Sequence, residues 1–140
     1  MTQLIDDQLL GAVLAGAAPP RRRAAVFTTG SWYVRLCQAV LGAAGRTGVL
    51  AGPLAALPLP ARDRALGTLL ELPDAIGLLS LRELAPLIGQ LRRHHDLNAL
   101  GMEVLAASVL VEATVYLSAP SPRLERALTL EGRTAVVLDD

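Results

Sequence analysis

Five short runs rich in strand-forming residues constrain this chain more than anything else in it. They are QLI before Asp6, AAVFTT ending at Thr29, AIGLLS ending at Ser80, TVYLS ending at Ser118, and RTAVVL ending at Leu138. Helical patterns separate them. The order reads strand, helix, strand, two helices, strand, two helices, strand, helix, strand. Alternation of this kind predicts an α/β fold, a mostly parallel sheet of four or five strands between two helical layers, linked by right-handed crossovers. Residues 1–140 are expected to form one three-layer α/β/α domain. In such sheets ligands collect at the carboxyl ends of the strands. That edge is predicted at Asp6-Asp7, Thr28-Thr29, Ser80-Leu81 and Ser118-Ala119.

The helices have local signals. Leu9, Leu10, Val13 and Leu14 recur at helical spacing, and WYVRLCQAVLGAA presents Val34, Leu36, Cys37, Val40 and Leu41 on an apolar side. GRTGVLAGPLAALPLP reads as a connection with room for one helical turn. ARDRALGTLLEL is expected to be helical after Pro60 and to stop at Pro73. Ser80 and Glu83 spell a capping box for LRELAPLIGQLRRHH, and Pro86 predicts a kink or a later start. LNALGMEVLAASVLVEA is apolar almost all round and must be buried. SPRLERALTLEG closes the series, with Gly132 as its C-terminal cap.

With 52% hydrophobic residues and 19% charged, the chain is no disordered segment. Aromatic residues are confined to Phe27, Trp32, Tyr33 and Tyr116, so stacking of bases on aromatic platforms is a poor fit. All thirteen basic residues are Arg and the net charge is zero, which gives no global electrostatic case for nucleic acid. The charge is divided, +4 over residues 1–70 and −4 over 71–140. The single Cys37 forms no intrachain disulfide and reads as a small buried residue. No apolar run reaches a membrane span, because Glu103 and Glu112 interrupt the longest. The opening MTQLIDDQLL lacks the basic start of a signal peptide. A cytoplasmic protein without a membrane segment is expected.

Few residues carry chemistry. Asp6 and Asp7 end the first strand, where a carboxylate calls for a cation, an Arg or a helix N-terminus. One reading has Asp7 cap the helix and Asp6 pair with an Arg; the other has both hold a metal. Glu103 is expected to be buried against an Arg or to reach the same edge as Asp6. His94 and His95 follow Arg92 and Arg93 at a helix end, where cations gain from the dipole. Arg21, Arg22 and Arg23 form a basic loop that is either solvated or a contact for phosphate or a partner's acids. The turn TTGSW offers backbone N–H groups to an anion, which would suit a nucleotide-binding protein. No Ser/His/Asp constellation is present.

The series from IGLLSLRELAPL to GRTAVVL, with LIDDQLLGAVL at the start and AVFTTGSWYVRL between, resembles the PIN domain, the fold of VapC-type toxin ribonucleases. The resemblance covers nearly the whole chain as a pattern. It implies a carboxylate cluster at the strand ends that binds Mg²⁺ or Mn²⁺ and hydrolyses RNA. Asp6 matches the first acid. The second falls near Tyr33 to Arg35, where no acid exists. The third appears as Asn98, and the fourth as Ser118-Ala119-Pro120.

One match and three departures lead to the expectation of a PIN-like protein with depleted carboxylates that acts by binding protein or RNA. The alternative is a metal-dependent ribonuclease of the toxin type with an altered cluster. Its catalytic set would be Asp6, Asp7, Asn98 and Ser118, with Asp6 and Asp7 on the metal. Contacts to RNA or a partner are expected at Arg21, Arg22, Arg23, Thr29, Ser31 and Arg35. An antitoxin-like protein, RNA or a second copy in a homodimer are the partners the resemblance implies.

Overall fold

A computed structural model describes residues 1–42 and 50–138. Residues 43–49, which include the start of the Gly/Pro-rich connection, and 139–140 lie outside the described residues. The elements run β1 (Thr2–Ile5), α1 (Asp7–Leu14), β2 (Ala25–Thr28), α2 (Gly30–Leu41), α3 (Gly52–Ala55), α4 (Leu59–Leu70), β3 (Ile76–Leu78), α5 (Leu81–Leu91), α6 (Ala99–Leu110), β4 (Thr114–Leu117), α7 (Pro122–Leu130) and β5 (Ala135–Val137).

All five strands join one sheet in the order β3-β2-β1-β4-β5, and every pairing is parallel. β1 is therefore central. Gln3 faces Val26 on one side and Thr114 on the other, and Leu4 faces Phe27 and Val115. The chain builds outward from β1 to β3, then crosses back to place β4 on the other side. The order thus reverses between β1 and β4, which makes the crevice above those two strands the expected ligand position.

Period-two alternation divides the core between the two faces. Leu4, Val115 and Leu117 pack with Leu84, Leu91, Met102, Leu105 and Leu128 beneath α5, α6 and α7. Ile5 and Tyr116 point the other way, onto Leu10, Leu36 and Leu69 of α1, α2 and α4. Two clusters on opposite faces of one sheet make the three layers. The helix predicted to be buried all round is α6, in which every residue from Gly101 to Ser108 is buried. Among the described residues, no helix is long and apolar enough to cross a membrane.

Several boundaries differ from the sequence reading. α4 begins at Leu59, before Pro60, because Pro fits the first turn of a helix, where its missing N–H is not needed. α5 begins at Leu81 and runs through Pro86 to Leu91 without interruption. The expected later start does not occur, since Ser80 Oγ accepts from Arg82 N at 3.1 Å and so starts the helix. That bond goes to the second helical residue, whereas a capping box would use Glu83 N. Gly132 adopts the left-handed conformation expected of a C-terminal cap, at φ 73°. Cys37 is half-buried; burial pushes its thiol up from the usual range, with a hydrogen bond to Tyr33 opposing.

Candidate functional site at the carboxyl edge of the sheet

The carboxyl ends of β1 and β4 are tied together by one side chain. Asp6 directly follows β1 and has extended backbone at φ −79°, which ends the strand and starts α1. Its Oδ1 accepts from Leu9 N at 2.9 Å, and its Oδ2 accepts from Ser118 N at 2.7 Å and Ser118 Oγ at 2.5 Å. Asp7 lies inside the first turn. Its Oδ1 accepts from Gln8 N, and Oδ2 sits 3.3 Å from Arg35 Nε. The roles are the reverse of the reading in which Asp7 caps and Asp6 pairs with an Arg. The reason is the strand end: β1 stops at Ile5, so the first non-helical residue able to reach back to an N–H is Asp6.

The Asp7 carboxyl is held above its usual 3.8 by burial first and by the neighbouring Asp6 charge second; Arg35 pulls it back down. Its Oδ2 is buried with no hydrogen-bond partner, although Arg35 stands at ion-pair distance. Arg35 itself remains 56% exposed and points out from α2.

Glu103 is 2% exposed in the middle of α6. Among the described residues it pairs with no Arg, contrary to one expectation. Its Oε2 accepts from Gly30 N at 2.9 Å, and its Oε1 accepts from Ser31 N at 3.3 Å and Ser31 Oγ at 2.5 Å. The negative charge therefore sits on the N-terminus of α2, where the exposed N–H groups and the helix dipole favour it. Thr29 Oγ1 takes the next donor, Trp32 N, at 3.1 Å. The TTGSW turn does bind an anion, and that anion is the chain's own Glu103. This fills the position in which an external nucleotide or phosphate was the alternative.

The remaining predicted residues divide between places. Thr29 is fully buried, and the Ser31 hydroxyl is given to Glu103. Asn98 caps α6, with Oδ1 accepting from Gly101 N at 2.8 Å. Arg21, Arg22 and Arg23 precede β2, so they lie at the amino edge of the sheet, opposite Ser31 and Arg35. That loop is anchored by fully buried Gln3, whose amide bonds the backbone of Arg21 and Ala24. The set of six expected contact residues is thus not one surface.

Above β1 and β4 lies a cleft of about 360 Å³. Asp6, Asp7, Arg35 and Ser118 line it together with the apolar wall of Trp32, Leu100 and Leu124. A second depression of about 310 Å³ continues it; the two share Arg35, Leu100, Ser121 and Leu124, and the second adds Asn98 and Arg123. Among the described residues, no group of three or more His, Cys, Asp or Glu side chains is placed to hold a metal ion.

Two features escaped the sequence reading. His95 is buried, and its Nε2 lies 2.6 Å from Glu131 Oε2, joining the end of α5 to the end of α7. Arg123 enters the cleft from the first turn of α7, a position set by Pro122 at the helix start. Pro122 was visible in the sequence; the direction of the side chain beside it was not. No protein-family model, curated protein or solved structure matches this chain.

Proposed function

We propose that the chain is a PIN-like domain that works by binding a protein or RNA at the carboxyl edge of its sheet, without metal-dependent cleavage. The observation that carries this reading is the state of the carboxylates. Both oxygens of Asp6 and both of Glu103 accept hydrogen bonds from the chain's own backbone and serines. A hard divalent cation needs several oxygens converging on one point, and taking these would break the start of α1 or α2. Arg35 adds a positive charge in the region where the resemblance would require an acid, and it neutralises Asp7. What remains is a cleft with an apolar wall and cationic rim.

The test is incubation of structured RNA with Mg²⁺ or Mn²⁺, paired with calorimetric titration of each metal. No cleavage and no heat of metal binding are expected. Metal-dependent cleavage that disappears in Asp6→Ala would overturn the reading. One observation favours the toxin-type ribonuclease as a second reading. Asp7 Oδ2 is a buried oxygen without a hydrogen-bond partner, lying beside Asp6 in the cleft. With Mg²⁺ or Mn²⁺ there, substrate phosphates would have to complete the shell.

A homodimer belongs to the same proposal, supported by exposed Leu78 and Leu81 at the end of the edge strand β3, and sedimentation would check it. A reducing, cytoplasmic setting suits the single half-buried Cys37.

A further inference from the structure

β3 ends the sheet on one side: the strand order is β3-β2-β1-β4-β5, and Ile76–Leu78 pairs with β2 alone. An open edge offers its backbone N–H and C=O groups to another strand, and folded proteins ordinarily blunt it with charge, proline or a cover. From Ala75 to Leu81 this chain places no charged residue and no proline. It places exposed leucines there instead. Leu78 is 44% exposed at the strand end, and Leu81 is 57% exposed at the start of α5. The opposite edge differs, since Ala135, Val136 and Val137 of β5 are all half-buried.

Alternation decides which side chains meet across a pairing at this edge. Ile76 packs in the cluster of α1, α2 and α4, and Leu78, two residues on, points to the same face. Gly77 lies on the other face, against Phe27. A second β3 running antiparallel, with the two-fold axis at Gly77, sets Leu78 of each copy beside Ile76 of the other. These are cross-strand aliphatic pairs, the contacts that stabilise a sheet. The same register sets residue 74 of each copy opposite residue 80 of the other. Asp74 thereby comes to the start of the other copy's α5, which carries Arg82. Both side chains are exposed, and neither belongs to an ion pair among the described residues. A two-fold contact uses each such pair twice.

We infer that a second copy of this chain occupies the β3 edge, strand against antiparallel strand, so that two five-stranded sheets become one. Opposite charges meet at both ends of the contact, and aliphatic side chains meet at its centre. A head-to-tail contact of β3 with β5 would propagate from chain to chain, whereas this one closes after two. The inference rests on the homodimer part of the proposal above and names the surface that forms it. Three strand residues bury little area, so the dimer is expected to depend on concentration.

The experiment is sedimentation equilibrium of the full chain over a range of concentrations, with circular dichroism to check that each variant is folded. A monomer–dimer equilibrium is expected. Leu78→Lys should weaken the dimer by about tenfold or more. Asp74→Arg and Arg82→Asp should each weaken it alone, and the double exchange should restore it, a recovery that a loss of fold stability would not produce. Leu138→Lys, beside the β5 edge, should leave it unchanged. A monomer at every concentration up to about 1 mM overturns both this inference and the homodimer. A dimer that survives Leu78→Lys, is not restored by the charge exchange, is lost in Leu138→Lys or grows into larger species overturns this inference alone.

Discussion

Ser118 donates both its backbone N–H and its hydroxyl to one oxygen of Asp6, a residue 112 positions away in the chain. The other oxygen of Asp6 starts α1. One carboxylate therefore closes the seam between the two halves of the sheet and begins the first helix. Asp6→Ala should cost about 2–3 kcal/mol, combining the loss of a helix cap with an unpaired Ser118 N–H. Ser118→Ala, which keeps the backbone bond, should cost about 1 kcal/mol. Urea unfolding of both variants checks the ranking.

Glu103 makes a sharper case. Glu103→Gln preserves the shape but turns one acceptor oxygen into an NH₂ group facing N–H donors of Gly30 and Ser31. It should still cost about 2 kcal/mol, and Glu103→Ala more, because buried donors are left unpaired and a cavity opens. Hydrogen exchange at Gly30 and Ser31 should speed up in both. Protection equal to the parent protein in Glu103→Gln would show that these N–H groups do not depend on the charge.

These two acids show where sequence reading reached its limit. The strand and helix series, the buried α6 and the carboxyl edge were visible because period and turn chemistry are local properties. Asp6, Asp7 and Ser118 were placed at the edge for the same reason. Glu103 was recognised as an anomaly in an apolar helix, yet its partners could not be named. They lie 72 and 73 positions away and depend on how α6 packs against the start of α2. The exchange of roles between Asp6 and Asp7 turned on a one-residue difference in where α1 begins, since Asp7 is already inside the helix and Asp6 caps it. His95 looked like a helix-end cation because its partner, Glu131, belongs to a helix whose docking no local pattern records.

Asp7 should give the fold a pH signature. Its carboxyl is raised above 3.8, so between that value and its folded pKa the native state binds more proton than the unfolded chain. Stability from this group is present at low pH and falls as pH rises through that window. Asp7→Asn lacks this dependence, so it should gain on the parent protein as pH rises through the window, then hold a constant difference above it. Arg35→Ala, which removes the charge that opposes burial, should push the window upward. Urea unfolding between about pH 3 and pH 8 reads both. An Asp7→Asn stability that falls relative to the parent as pH rises would contradict the assignment.

Two adjacent histidines should behave differently. His95→Ala removes a buried side chain 2.6 Å from Glu131 and should cost about 1–3 kcal/mol. Exposed His94→Ala should stay within about 0.5 kcal/mol of the parent. Equal effects in thermal unfolding would remove the structural role given to His95.

Gly77 faces Phe27 across the β2–β3 pairing, and a methyl group at Gly77 would overlap the Phe27 ring. Gly77→Ala should therefore cost about 1–3 kcal/mol through overpacking. Phe27→Leu should recover part of that loss in the double variant. Additive costs in unfolding experiments would mean the two sites are independent.

The sheet order has a consequence for the protein while it is being made. β1 is made before the other four strands; it can pair with β2, and β2 with β3, early. Its other edge waits for β4, which follows more than a hundred residues later. Until then Leu4 and Ile5 border an open strand edge, the kind of surface that recruits other chains. A translation product ending before Thr114 would keep that edge permanently and would also leave Asp6 without Ser118. Such fragments should aggregate while a chain that includes β4 does not, making the residues from Thr114 onward the part that closes the first strand to its neighbours.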